Sequence, residues 1–119
     1  MKICIPAEDN KGLESNVYGH FGSAPYFLIF DTEAKTSEFL KNAEDHEHGQ
    51  CVPVGRLMPH NISAVLCGGI GAGAASKLNA AGMKVYKGEA ETLEKMLEIF
   101  NTGKMPELDV NDCCKGHSH

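Results

Sequence analysis

The order of apolar and polar residues predicts five strands, at residues 2–6, 26–30, 36–41, 62–67 and 83–86. The first strand alternates polar and apolar positions, and the second and fourth are continuous apolar runs typical of buried strands. Only a short polar turn separates the second strand from the third. These two strands are expected to form an antiparallel hairpin, because a parallel pair needs a crossover connection of about a dozen residues or more.

Three helices are predicted, at residues 52–58, 72–81 and 90–101. The third has the clearest amphipathic pattern, since its apolar residues recur at i, i+3, i+4 and i+7. These residues are Leu93, Met96, Leu97 and Phe100. The second helix lies between the fourth and fifth strands, so those two strands are expected to be parallel.

The order of the predicted elements is β-β-β-α-β-α-β-α. Antiparallel strands followed by helical crossovers predict an α/β fold, with a mixed five-stranded sheet and helices on both of its faces. We expect residues 1–105 to form one domain. Residues 106–119 have little apolar surface to bury, and we expect them to form a flexible tail that contains cysteine and histidine.

Composition narrows the function classes open to this chain of 119 residues. Its 16 acidic residues outnumber its 11 lysines and arginines, and the net charge of −5 argues against a general nucleic-acid-binding protein. No apolar run approaches the roughly 20 residues of a membrane span. Acidic Glu8 and Asp9 follow the first strand where a signal peptide would continue its apolar segment. We therefore expect a cytoplasmic protein that binds neither nucleic acid nor membranes.

Five cysteines and six histidines are the most informative residues. An odd number of cysteines in a reducing compartment favours thiols or metal ligands over a disulfide framework. Four candidate metal ligands lie near the end of the chain, and they are Cys113, Cys114, His117 and His119. Thiolate and imidazole groups at this spacing suit a divalent metal ion.

A second group of candidates lies where predicted strands begin or end. His20 stands in a loop between Gly19 and Gly22, and glycines allow a backbone to approach a bulky ligand closely. Gly69 and Gly71 open the second predicted helix, where backbone N–H groups favour an anion. The alternatives are a loop histidine that forms local hydrogen bonds, and a tight strand-to-helix turn that binds nothing.

Two cysteines belong to the same group. Cys67 ends the fourth strand beside the glycine turn, and Cys51 lies at the start of the first predicted helix. The dipole at a helix start favours a thiolate. Each cysteine is either a ligand or an ordinary buried thiol. Cys4, inside the first strand, is expected to act as a small buried hydrophobic residue.

Two sets of residues, in order along the chain, resemble those of a known family. The first set is Ser15-x-Val17, His20-Phe21-Gly22 and residues 24–29. The second set is Gly68-Gly69-Ile70-Gly71, Leu78, residues 81–86 and Gly88. Together they resemble the dinitrogenase iron–molybdenum cofactor biosynthesis family, and the likeness covers residues 1–105.

This resemblance implies a ribonuclease H-like architecture with sheet order 3-2-1-4-5. It also implies the binding and carriage, without catalysis, of an iron–sulfur cluster or an iron–molybdenum cofactor precursor that passes between donor and acceptor proteins. His20 matches the family's motif histidine, and Cys51 and Cys67 fall where some members have cysteines. In that sheet order the first and fourth strands are neighbours, so the His20 loop is expected near Cys67 and residues 68–71. The candidate cofactor-binding residues are therefore His20, Cys67, Cys51, Gly69 and Gly71.

Two other functions fit parts of the sequence. A chaperone or sensor for a single zinc, nickel or copper ion would use the cysteines and histidines of the tail. A hydrolase built on a ribonuclease H-like sheet would need several converging carboxylates to hold two metal ions. Only Asp31 clearly ends a predicted strand, so we expect no enzyme activity.

Overall fold

The computed structural model describes residues 1–21, 23–41, 57 and 60–108. Its elements are β1 (Lys2–Ala7), β2 (Tyr26–Asp31), β3 (Thr36–Lys41), β4 (Ala64–Cys67), α1 (Ala72–Ala80), β5 (Lys84–Lys87) and α2 (Leu93–Asn101). A single 3-10 turn at Gly12–Glu14 follows β1.

The strands form one mixed sheet in the order β3-β2-β1-β4-β5, which confirms the predicted fold class and sheet order. β1 pairs antiparallel with β2 along its whole length, from Lys2 opposite Asp31 to Ala7 opposite Tyr26. β2 pairs antiparallel with β3, as the short turn between them predicts. β4 runs parallel to β1 and to β5, and α1 forms the helical crossover that joins β4 to β5.

Alternating side chains give the sheet two apolar faces, each covered by a helix. On the first face, Leu78 of α1 packs with the buried strand residues Cys4, Phe27, Ile29, Val65, Cys67 and Val85. On the second face, Leu93, Met96 and Leu97 of α2 pack with Ile3, Ile5, Leu28, Ala64 and Leu66. The predicted placement of helices on both faces is confirmed.

Both helices lie close to their predicted bounds. α1 ends at residue 80, one residue early, and Gly82 follows it with φ 93°, a conformation that favours glycine. α2 begins at residue 93, three residues late, because Thr92 is extended and its side-chain oxygen accepts a hydrogen bond from the Lys95 N–H at 3.3 Å. Within the described part of the chain, no helix is long and apolar enough to cross a membrane.

The remaining two predicted segments differ in how much of them is described. The helix predicted at 52–58 lies outside the described residues except for Leu57, which is fully buried on the first face. The start of the predicted tail runs along the outer edge of β5, where the Lys87 N–H donates to Pro106 O at 2.9 Å and the Leu108 N–H donates to Val85 O at 2.7 Å. The folded chain therefore continues through residue 108, past the expected boundary at 105.

Candidate functional site

The candidate site lies where β1 and β4 separate at their carboxyl ends. Their pairing extends only as far as Cys4 and Val65. Beyond that point, residues 16–18 lie beside β1 on the side away from β2, and the Tyr18 N–H donates to Pro6 O at 2.9 Å. Open α/β sheets bind ligands where neighbouring parallel strands part at their carboxyl ends. The candidate crevice is therefore the region that residues 16–21 and the turn after β4 border.

His20 is held in this crevice by the residues on either side of it. Tyr18 is bonded to β1, and the Phe21 N–H donates to Gly69 O at 3.0 Å on the turn that follows β4. The buried Phe21 ring packs on Phe27, with 5.1 Å between the ring centroids. Both neighbours fix the backbone of the loop, while the His20 side chain is exposed.

Gly69 allows the His20 loop to approach the turn after β4. A Cβ atom on Gly69 would lie 3.0 Å from the carbonyl O of Gly19 and 3.6 Å from Nδ1 of His20. The first distance is too short for an unstrained contact with a backbone atom, so any side chain at residue 69 would displace the loop. Glycine at residue 69 therefore permits this close backbone approach.

The start of α1 adds backbone N–H groups to the site. Gly71 is the extended N-cap residue, and no side chain caps this helix. A Cβ atom on Gly71 or Gly73 would meet no atom of the described chain within 4 Å, so the surroundings of both are open. The N–H groups of a first helical turn lack intrahelical partners and carry partial positive charge. This end of α1 can therefore hold an anion close to Gly69 and His20.

Cys67 and Cys4 are buried thiols on the first face of the sheet. Cys67 is 1% exposed, and its carbonyl O accepts a hydrogen bond from the Gly88 N–H at 3.1 Å. Cys4 is fully buried, as expected of a small hydrophobic residue. Burial raises the pKa of the Cys4 thiol far above its ordinary value, and the neighbouring Cys67 raises it further. Cys4 is consequently protonated at neutral pH.

The structure thus brings some of the predicted site residues together and leaves others aside. The His20 loop is bonded to Gly69 through the Phe21 N–H, and Gly71 follows in the same turn, whereas the Cys67 side chain packs in the core. The other predicted ligands, Cys51, Cys113, Cys114, His117 and His119, lie outside the described residues. Among the residues that are described, no three His, Cys, Asp or Glu side chains are grouped so that they could hold a metal ion.

Gly88 belongs to the residues that carry the family resemblance, but it was not predicted to be part of the site. It follows β5, and its carbonyl O lies 3.5 Å from the point that a Cβ atom on Gly68 would occupy. On its other side, a Cβ atom on Gly88 would lie 2.9 Å from Sδ of Met105. The available signal was its place directly after a predicted parallel strand, because the carboxyl ends of parallel strands meet at one edge of the sheet.

Solved structures and a further protein compared by sequence resemble this chain over about nine tenths of its length. A NifB-like protein from Thermotoga is 34% identical with a TM-score of 0.77, and the match covers 90% of this chain and 92% of that one. The apo form of the orange protein from Desulfovibrio gigas is 26% identical with a TM-score of 0.80, at the same coverage of 90% and 92%. An uncharacterized protein from Methanocaldococcus jannaschii is 26% identical over 114 residues, which is 92% of each chain.

A family model, described as dinitrogenase iron-molybdenum cofactor, matches residues 1–103. That range contains all five strands and both helices of the described structure, together with the two sets of residues that carried the resemblance. The family and the structural relatives connect the chain to the biosynthesis of the iron–molybdenum cofactor. The resemblance found in the sequence is confirmed, and the chain belongs to the dinitrogenase iron–molybdenum cofactor family.

Proposed function

We propose that this protein binds and carries an iron–sulfur cluster or a precursor of the iron–molybdenum cofactor, and that it catalyses no reaction on this cargo. The observation that supports the proposal most is the position of exposed His20, whose ring lies 3.6 Å from the point that a Cβ atom on Gly69 would occupy, beside the uncapped start of α1. Iron–sulfur clusters with their sulfide and thiolate ligands are anionic, so the N–H groups of a helix start offset their charge. An imidazole can bond directly to the iron of such a cluster.

A small number of protein ligands suits a carrier. The crevice offers the exposed imidazole of His20, whereas the Cys67 thiol is 1% exposed and would have to be uncovered before it could reach the cargo. Resident iron–sulfur clusters are typically held by a full set of cysteine thiolates. A cargo held by fewer bonds can leave for another protein. We propose that donor and acceptor proteins exchange it at this open edge of the sheet, in the reducing cytoplasm.

Anaerobic reconstitution with iron and sulfide tests the proposal. Loss of the imidazole in His20→Ala should weaken cluster binding at least tenfold, which corresponds to about 1.4 kcal/mol. His60→Ala is the matched control. His60 precedes the amino end of β4, whereas the crevice lies at the carboxyl ends of the strands. Absorbance and metal analysis measure binding, and circular dichroism checks the fold. If His20→Ala binds the cluster as the wild type does, the crevice is not the site.

Cys67→Ala and a truncated chain complete the experiment. Binding lost in Cys67→Ala, with the fold intact, would add the buried thiol to the ligand set. A chain that ends at Leu108 keeps the segment that pairs with β5 but lacks Cys113, Cys114, His117 and His119. We expect it to bind the cluster like the full chain. If truncation abolishes binding and His20→Ala does not, the tail is the primary site, and carriage of a single zinc, nickel or copper ion is the better explanation.

A further inference from the structure

A separate cleft lies on the second face of the sheet, between α2 and the β2–β3 hairpin. Its volume is about 310 Å³, at the lower end of the range of roughly 300–1,000 Å³ for small-molecule sites. Its apolar lining comes from three elements: Leu13 from the 3-10 turn, Phe30 from β2 and Leu97 from α2. No residue of the His20 crevice lines it.

Charged side chains of both signs line the rim of this cleft. Glu94 and Glu98, one helical turn apart on α2, line one wall, and Lys35 lines the hairpin side. All three side chains are exposed. Within the described part of the chain none of them forms a salt bridge, since the ion pair found there joins the N-terminal ammonium group to Glu33. The cleft therefore presents carboxylates and an ammonium group that do not neutralise one another.

Hydrogen bonds to Asp31 hold the backbone of the turn that contains Lys35. Lys35 adopts φ 58°, and its N–H donates to Asp31 O at 2.7 Å. The Asp31 carboxylate also accepts hydrogen bonds from the N–H groups of Glu33 at 2.9 Å and Ala34 at 3.2 Å. Such side-chain-to-backbone bonds stabilise a turn locally. The hairpin thus holds the backbone of Lys35 at a defined place across the cleft from α2.

We propose that this cleft binds a free α-amino acid with an apolar side chain. The ammonium group of the ligand faces Glu94 and Glu98, its carboxylate faces Lys35, and its side chain covers Leu13, Phe30 and Leu97. Charge complementarity carries the proposal, because a zwitterion pairs with both walls at once, whereas a ligand with one charge leaves one wall without a partner. Exposed ion pairs contribute little to affinity, so we expect weak binding.

NMR titration of the intact protein with L-leucine, to about 20 mM because millimolar affinity is expected, tests the proposal. The backbone amide signals of Thr32, Lys35 and Glu98, which line the cleft, should shift and reach saturation. Two probes each lack one charge: L-leucinamide has no carboxylate, and N-acetyl-L-leucine has no ammonium group. Each should bind about twofold to fivefold more weakly than leucine. Absence of a saturable shift with leucine, or equal binding of all three compounds, would overturn the proposal.

Two variants test which wall of the cleft each charged group of the ligand faces. Lys35→Gln should weaken leucine binding but leave leucinamide binding unchanged, because leucinamide has no carboxylate for Lys35 to face. Glu98→Gln should weaken leucine binding and leave N-acetyl-leucine binding unchanged. The opposite pattern in either variant would contradict the proposed orientation. Cluster binding should be unaffected in both variants, so this proposal and the proposed carriage of a metal cluster stand or fall separately.

Discussion

The imidazole of His20 lies against the backbone of Gly69, with Nδ1 3.6 Å from the point that a Cβ atom on Gly69 would occupy. The contact joins the loop after β1 to the turn after β4. It depends on residues 16–18, which lie beside the carboxyl end of β1 and carry the chain towards that turn. Any side chain at residue 69 therefore acts directly on the position of the histidine.

Replacement of Gly69 by alanine should displace the His20 loop and destabilise the fold. The new Cβ atom would lie 3.0 Å from Gly19 O, so backbone must give way by a few tenths of an ångström. Overpacking of this kind typically costs about 1–3 kcal/mol. Urea unfolding measures the loss in the free energy of unfolding, and the NMR signals of the His20 ring report the displacement.

Gly73→Ala is the matched control for that variant. A Cβ atom on Gly73 would meet nothing within 4 Å, and alanine has a helix propensity higher by about 0.8–1 kcal/mol. This variant should therefore be slightly more stable than the wild type, and its His20 signals should not move. Equal stabilities of Gly69→Ala and Gly73→Ala would contradict the close contact assigned to Gly69.

The free energy of unfolding should fall at alkaline pH partly because of Cys4. Burial raises the pKa of its thiol in the folded state far above the unfolded value of about 8.5. Below that value the thiol is neutral in both states. As the pH rises above it, only the unfolded chain ionises, and unfolding is favoured. Urea unfolding between pH 7 and about 10 should show a shallower decline for Cys4→Ala than for the wild type, whereas equal slopes would mean that Cys4 does not contribute.

Asp31 should stabilise the β2–β3 hairpin at neutral pH and cease to do so in acid. The N–H groups of Ala34 and Glu33 donate to its carboxylate and hold the pKa of Asp31 below its usual value. The stability gained in this way is present above the unfolded pKa of about 3.9 and is lost as the pH falls through the lower folded value. Melting temperatures of the wild type and Asp31→Asn should differ at neutral pH and converge in acid. A constant difference would exclude the charge as its cause.

The sheet could be predicted from the sequence because its connections are short or helical. The turn at residues 32–35 is too short for anything but a hairpin, and the glycine-bounded helix α1 requires parallel neighbours. The insertion of residues 16–18 could not be predicted in the same way. Its bonds are made by backbone groups, Tyr18 N–H to Pro6 O and Val17 N–H to Glu91 O. Backbone bonds leave no periodic pattern of apolar side chains from which they could be predicted.

The candidate site could be predicted in outline from the same topology. Adjacent carboxyl ends of β1 and β4 were sufficient to expect His20 near the glycine turn. The environment of Cys67 was harder to predict, because a residue that ends a strand can face either the open edge or a covered face of the sheet. Cys67 shares the first face with Val65, two residues earlier, and is covered in the core. The segment that pairs with β5 was missed because it contributes backbone bonds and few apolar residues.

Gly88 and Met105 should behave as a coupled pair. A Cβ atom on Gly88 would lie 2.5 Å from Cε and 2.9 Å from Sδ of Met105, so Gly88→Ala must push away a side chain that is only 6% exposed. Met105→Ala alone leaves a cavity and should cost about 2–5 kcal/mol. In the double variant the cavity accepts the new methyl group, so urea unfolding should give a smaller loss than the sum of the single losses, by about 0.5–3 kcal/mol. Faster amide exchange at Leu108, which donates to Val85 O, should accompany Gly88→Ala and be partly reversed in the double variant. Additive losses would show that the two residues do not touch.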